Sequence, residues 1–405
     1  MYLLFHIDKK EGDIMFQEEV KKILRSPLKW VLCAVLLLNI FIILINYFEF
    51  KKQVGDVKAY NVFANQYEGE LDNSLAEQFQ NELSTHNYAD ADGKISDAFI
   101  ESESAAKAYF YADYCMQNEY RKAWKHIEGE SEQFPVSYDG IEAYIQNTNK
   151  KGEKIFPIME KEYFMLKKVG APNTYYNMVG INKITRLLTG GIISFFSIMI
   201  AIVVIVNASF SIENSSNMIS IILSTSNGRK RILHSKIIVV QIVSFLWISI
   251  YYWIGILLNL VLYDNFDKLS APLNNVSSFY MSPYDVTIGK FFLICYVLYV
   301  IGGFAITSIF SVLSLGIKNI VMNFGVSLVG YMFPLFLPTN GVGGTIAVLC
   351  PNMSMQANML FQEMQAINIG GNVVMLWLIA PVVSVLLGCI MYFMSYRIYL
   401  KCNIE

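Results

Sequence analysis

The residue types that carry most enzyme chemistry are present in this sequence, but never at the spacing such chemistry needs. The four histidines, His6, His86, His126 and His234, are scattered, and no HExxH stretch places two imidazoles on one helix face around zinc. No GxxxxGK[ST] stretch occurs, so the chain lacks that way of cradling the phosphates of ATP. The six cysteines include no CxxC. Cys33, Cys295 and Cys389 lie inside apolar runs, Cys402 is near the end, and nothing pairs Cys115 with Cys350. They read as small hydrophobes, so no catalytic or metal-ligating residue is nominated. What remains is the chemistry of docking and positioning. Its densest stretch is Ser211–Lys236, SIENSSNMISIILSTSNGRKRILHSK, where Arg229, Lys230, Arg231 and Lys236 crowd together. Ile212, Met218, Ile219, Ile222 and Leu223 can share one helical face there. A stretch both amphipathic and basic can be a surface for another protein.

Composition says where this stretch must sit. The chain of 405 residues is 54% hydrophobic and only 16% charged, whereas soluble domains carry roughly 25% charged residues. Runs of about 20 apolar residues, enough to cross a bilayer, occupy Trp30–Phe48, Leu187–Phe210, Ile237–Tyr263, Phe291–Ile317, Ile320–Leu337 and Val373–Tyr396, and none contains Asp, Glu, Lys or Arg. Lys21, Lys22, Arg25 and Lys29 precede the first run, Lys318 separates the fourth and fifth, and Arg397 and Lys401 follow the last. By the positive-inside rule both termini and the 211–236 loop face the cytoplasm. The expected fold is therefore an all-α polytopic membrane protein of the plasma membrane with six transmembrane helices. The first run ends in bulky INYFEF with no small-residue cleavage site, and reads as a retained anchor, not a signal peptide.

Four further segments follow. Residues 1–28 hold an amphipathic elbow in which Phe16, Val20, Ile23 and Leu24 recur at helical spacing, lying in the inner interface or packed on another domain. Residues 29–49 form the first span. Residues 50–186 form an extracellular, mainly helical domain between helices 1 and 2, with a small strand element expected near Phe134–Tyr144. Between Glu49 and Arg186 acidic residues outnumber basic ones by 22 to 16, while elsewhere basic residues lead by 15 to 11. The aromatic residues Tyr109, Phe110, Tyr111, Tyr114, Tyr120 and Trp124 read as its core, with a peptide or glycan site as the alternative. Residues 187–405 carry the other five spans. Their outer segment 338–372 is too apolar for an ordinary loop and too broken by Pro338, Gly341, Gly343, Gly344 and Pro351 for a seventh span. It reads as an outer re-entrant hairpin, a backbone tolerated only when protein or a cavity shields it.

Polar residues inside the spans are neutral: Asn39, Asn46, Asn207, Gln241, Asn259 and Asn323. They either line a path or hydrogen-bond between helices. The lack of intramembrane carboxylates argues against proton- or ion-coupled transport. Pro334 and Pro381 are expected to kink the last two spans.

A membrane protein without an energy source of its own, yet with a structured cytoplasmic loop, points to energy from a partner. At this level the chain resembles the ABC-2 type permeases, the membrane subunits of ABC exporters. The resemblance covers residues 14–48 and 187–400. It rests on Glu213 after span two, Leu223-Ser224-Thr225, Arg229, and Lys236 leading into span three, and on the Gly- and Pro-rich stretch ending in Cys350-Pro351. Asn217 stands where the family usually has glycine. The resemblance implies that 211–236 is a coupling loop docking on a cytoplasmic ABC ATPase. Glu213 would orient the helix start, Ile219, Ile222 and Leu223 would make contact, and Arg229 to Arg231 would anchor the helix at anionic headgroups, with Lys236 counted among the partner-binding residues. It also implies a second permease, homologous or identical. ATP and magnesium would be bound by the partner, with no cofactor in this chain. The lipid membrane is expected as a partner and nucleic acid is not. The cargo would be an amphipathic or hydrophobic peptide, lipid or drug. Two other functions stay open: a membrane sensor or scaffold with a ligand-binding outer domain, and an ion exporter or secondary transporter.

Overall fold

A computed structural model of the chain describes residues 17–23, 25–27, 29–85, 103–128, 135–189, 192–210, 228–317, 319–337, 341–356 and 358–401. Among these, four helices are long and apolar enough to cross a membrane: α2 (Lys29–Val54), the His234–Tyr263 part of α10 (Gly228–Tyr263), α11 (Ile288–Gly316) and the Leu376–Ile398 part of α16 (Leu376–Lys401). Two apolar helices are shorter, α9 (Ile192–Ser209) and α12 (Ile320–Met332), the latter prolonged by a 3-10 turn over Phe333–Phe336. Large apolar side chains stand exposed along their outer faces, among them Leu37, Phe41, Leu257, Val321, Val329, Leu386 and Phe393. A water-soluble bundle would hide such faces; a membrane protein presents them to lipid.

α11 is the centre of the bundle, packed on α16, α10, α9 and the short helix Pro351–Ser354. Small residues let it approach its neighbours closely. A Cβ on its Gly303 would stand 2.3 Å from Ile248 Cδ1, and one on Gly388 of α16 would stand 2.4 Å from the Phe304 ring. Asn319 caps α12, its side chain accepting from the N–H groups of Val321 and Met322 at 2.9 and 3.1 Å. Pro334 ends α12 as an α-helix and sits in the 3-10 turn, where its missing N–H costs nothing. Pro381 is accommodated within α16.

The segment between α2 and α9 folds into a helical head of α3 (Val57–Gln66), α4 (Asn73–Thr85), α5 (Glu103–Lys125), α6 (Tyr138–Gln146), α7 (Phe156–Val169) and α8 (Val179–Ile184). A short antiparallel ribbon, β1 (Gly69–Glu70) with β2 (Thr174–Tyr175), closes it. Phe110, Tyr111, Tyr114 and Trp124 are buried, so these aromatics form core, while Tyr120 stacks on Tyr280. The head does not hang on a linker. α2 continues past its apolar run until Phe50 and Val54 enter the head core, and Tyr263 at the far end of α10 joins them. The Phe50 and Tyr263 ring centroids are 5.3 Å apart.

Two expectations need correcting. Residues 138–146 are helix α6 and not a strand, because Ser137 caps the segment by accepting from the Gly140 N–H at 3.2 Å. The last apolar run does not become helical at Val373. Residues 366–375 form a β-hairpin, β3 (Ala366–Ile369) with β4 (Asn372–Met375), and α16 begins at Leu376. Gly370 and Gly371 both have positive φ, 59° and 91°, as a two-residue turn matched to the strand twist requires.

Before this hairpin the chain folds back as α13 (Gly341–Leu349), α14 (Pro351–Ser354) and α15 (Asn358–Phe361). Residues 351–355 are buried, and the Asn352 side chain donates to the Tyr331 carbonyl of α12. The stretch 351–355 is thus shielded by protein, while Ile346 of α13 stands half exposed.

Candidate functional site

Of the residues nominated for docking, Glu213, Ile219, Ile222 and Leu223 lie outside the described residues. Arg229 and Arg231 stand in the first turns of α10, which begins eight residues before Lys236. Lys236 is buried, 1% exposed. Its Nζ lies 3.2 Å from Glu19 Oε2 and donates to the Ser209 carbonyl at 3.1 Å. Ser209 ends α9, where unsatisfied carbonyls attract a cation. Lys236 therefore binds the two ends of the intervening segment together, and binds both to Glu19.

Glu19 belongs to α1 (residues 17–23), a short helix packed on the bundle. Glu19, Ile23 and Ser26 are buried, and Glu18, Lys21 and Arg25 face outward. Both Glu19 oxygens meet a cation: Lys22 Nζ is 2.7 Å from Oε1, and Lys236 holds Oε2. An ion pair so far from water persists only when its hydrogen bonds are met on both sides. Nearby, Tyr392 of α16 and His234 Nδ1 of α10 are 2.9 Å apart. Glu19 had a sequence signal that periodicity could expose. It stands four residues before Ile23, on the apolar face of an amphipathic helix, where a lone acid asks for a buried cation.

The polar residues of the apolar helices do not converge on one site. Asn323 Nδ2 donates to Asn207 Oδ1 at 2.5 Å, joining α12 to α9. Gln241 of α10 donates to Ser308 Oγ of α11 at 2.9 Å. Asn259 turns back to the Gly255 carbonyl of its own helix at 2.7 Å. Asn39 is 1% exposed, with neither amide atom hydrogen-bonded.

At the opposite end the head grips both loops that reach it. Lys268, buried between α10 and α11, pairs with Glu68 at 2.5 Å and Asp267 at 2.6 Å. Asn274 and Asn275 donate to the carbonyls of Gly170 and Thr174. On α7, Lys161 Nζ donates to the Val373 carbonyl at 2.7 Å, and Glu162 Oε1 accepts from the Met364 N–H at 3.3 Å. Burial pushes the Glu162 carboxyl up to about 7, opposed by that N–H and reinforced by Glu363. In the head core, burial raises Asp113 to about 6 against the pull of three donors, Tyr175, Tyr60 and Gln117. Among the described residues no group of three or more His, Cys, Asp or Glu could hold a metal ion. The described arrangement can bind and brace.

The family described as ABC-2 family transporter protein matches residues 29–389. No curated protein and no solved structure matches the chain. The match spans the first long apolar helix, the head, the hairpin and most of α16, so the chain belongs to the ABC-2 family of transporter proteins and is a membrane component of an ABC transporter.

Proposed function

We propose that this protein is the permease subunit of an ATP-driven exporter of the plasma membrane, powered by a separate cytoplasmic ATPase. The observation that carries this reading is the family match over 29–389, joined to a bundle whose exposed faces are apolar. In this reading all six apolar helices cross the bilayer. α9, 18 residues long, spans about 27 Å, and α12 with its 3-10 turn spans about 28 Å, close to the roughly 30 Å of a hydrocarbon core.

The end holding α1, Ser209 and Lys236 is the cytoplasmic one, since Lys21, Lys22, Arg25, Arg229–Arg231 and Arg397 gather on its side. The acidic head, 50–186, then lies outside, and 338–372 enters from that side as a re-entrant hairpin. Glu213 orients a coupling helix, and Ile219, Ile222 and Leu223 dock it on the ATPase. Arg229 and Arg231 meet anionic headgroups, while Lys236 holds the neck of the loop from within. Two permeases, identical or homologous, pair with two ATPases that bind ATP and magnesium. Closure of the ATPases moves the loops and switches the cavity between inward and outward access. The absence of charge from the apolar runs suits an amphipathic or hydrophobic cargo such as a peptide, lipid or drug.

The test is co-purification from membranes with a cytoplasmic ABC ATPase produced together with this chain. A stable complex is expected, and failure to associate removes the reading. The sensor alternative expects the outer fragment to fold and bind a ligand alone. Tyr263 in the head core speaks against that, because the fragment would lose a core residue supplied by α10.

A further inference from the structure

We infer that the junction of head and bundle carries a site for a phosphate-bearing anion, the headgroup of an anionic glycerophospholipid in the outer leaflet, held by Lys183 and Arg186 with Lys51 and Lys52 at its rim. The inference needs α2 to cross the bilayer with the head outside, but no ATPase, so it goes beyond the permease reading and does not fall with it.

The length of α2 sets the level of the site. Glu49 lies 20 residues after Lys29 in one unbroken helix, about 30 Å on, which is the thickness of a hydrocarbon core. The last turn of α2, with Lys51 and Lys52 exposed, therefore stands at headgroup level beneath the head. α8 brings two more cations there. Its Gly180 abuts the last residue of α10: a Cβ would stand 2.7 Å from Tyr263 Cβ, and the Gly180 N–H donates to Asn265 Oδ1 at 2.9 Å. Lys183 is one turn on, on the same helix face, and Arg186 follows in a π-helical turn over Thr185–Thr189.

These groups lack an anion. Lys183 is half-buried, yet it forms no hydrogen bond or ion pair among the described residues. Burial pushes its ammonium down, Arg186 beside it does the same, and Glu49 opposes both. Glu49 itself is exposed and pairs with none of them. A further donor is unmet: the hydroxyl of Tyr263, a residue 2% exposed, has no acceptor and shares the field of Glu49. Four cations thus surround one carboxylate, in a segment where acids otherwise prevail and on the side from which the positive-inside rule removes bases. A phosphate supplies the missing acceptors in a form suited to the Arg186 fork. Phe48, exposed one residue nearer the bilayer, offers apolar surface to an acyl chain, which favours a lipid over a free anion.

The experiment is site-resolved acetylation of lysines, read by mass spectrometry, on the full chain in nanodiscs of phosphatidylcholine with and without phosphatidylglycerol. Lys290, exposed at the head-side end of α11, reports the general effect of a negative surface. Phosphatidylglycerol is expected to slow acetylation at Lys183 about fivefold more than at Lys290, the attraction of one basic residue to an anionic surface. Arg186→Gln should bring Lys183 to the Lys290 response, and Arg186→Lys should restore part of the difference. Equal responses at Lys183 and Lys290 in the natural protein would overturn the proposal. Inorganic phosphate added to phosphatidylcholine discs should leave Lys183 unchanged; protection as strong as that given by phosphatidylglycerol would make the ligand a free anion and overturn the lipid headgroup. If Lys183 reacts in neither lipid, native mass spectrometry decides. The natural protein should then retain phosphatidylglycerol in preference to phosphatidylcholine and the double variant Lys183→Gln, Arg186→Gln should retain less, whereas equal retention would overturn the site.

Discussion

A Cβ on Gly302 of α11 would stand 2.5 Å from Met355 Cγ and 2.7 Å from the Pro351 carbonyl oxygen. The Met355 side chain can swing aside, but the carbonyl belongs to the backbone of α14 and cannot. Gly302 is 14 residues from the start of α11, about 21 Å along the helix, so the folded-back hairpin reaches roughly its middle. Gly302→Ala should therefore push the hairpin outward and destabilise the protein by about 1–3 kcal/mol, the usual cost of overpacking. Gly330 of α12, where a Cβ meets nothing within 4 Å, is the control. Thermal unfolding in detergent should show a loss for Gly302→Ala and none for Gly330→Ala.

The Glu19–Lys236 pair predicts a non-additive stability pattern. Lys236→Ala leaves a buried carboxylate without one of its cations and should cost about 3–5 kcal/mol. Glu19→Gln together with Lys236→Met should cost less than the sum of the two single changes, because neither leaves its partner stranded. Denaturant unfolding of the four proteins measures the coupling. Additive losses would mean that the two side chains do not sense each other.

Asp113 sets a pH dependence for the head. Its carboxyl is raised from 3.8 to about 6 by burial, so the folded head holds a proton that the unfolded chain releases earlier. The stabilisation is complete below about pH 4 and is lost as pH rises through about 6. The two-unit shift corresponds to roughly 3 kcal/mol. Asp113→Asn should flatten the stability profile between about pH 4 and 6 without exposing Tyr60 or Tyr175, as read by unfolding at a series of pH values and by tyrosine fluorescence.

Glu162 predicts a second dependence at the contact between α7 and the hairpin. Its carboxyl is raised to about 7, with Glu363 and the Tyr284 phenol sharing its field. The docked arrangement thus favours the protonated form, and the contact should loosen as pH rises through about 7. Glu162→Gln should keep the Met364 amide equally protected on both sides of that value. Exchange at that amide, corrected for its intrinsic rate, decides the matter.

Much of this architecture was legible in the sequence because lipid imposes a simple rule on composition. Runs without charge, such as Trp30–Phe48 and Phe291–Ile317, could only be helices, and both are. What escaped was set by contacts at their ends. α2 continues beyond Phe48 because Phe50 and Val54 find a core in the head. Val373 and Val374 looked like the start of a span, yet Gly370-Gly371 already carried a hairpin signal and the pair became β4. At the candidate site, basic clustering drew attention to Lys236 as a surface residue. Only the fold shows that Glu19, 217 residues away, faces it. Partners across such distances leave no local pattern beyond an acid on an apolar helix face.

The measurement that bears most directly on the central claim is ATP hydrolysis by an ABC ATPase that co-purifies with this protein, reconstituted with it in lipid. Addition of the permease should change the hydrolysis rate. Leu223→Asp, which places a charge on the proposed docking face, should abolish that change while the protein still purifies folded. A hydrolysis rate indifferent to the permease, or one that Leu223→Asp leaves at the natural level, would contradict the account.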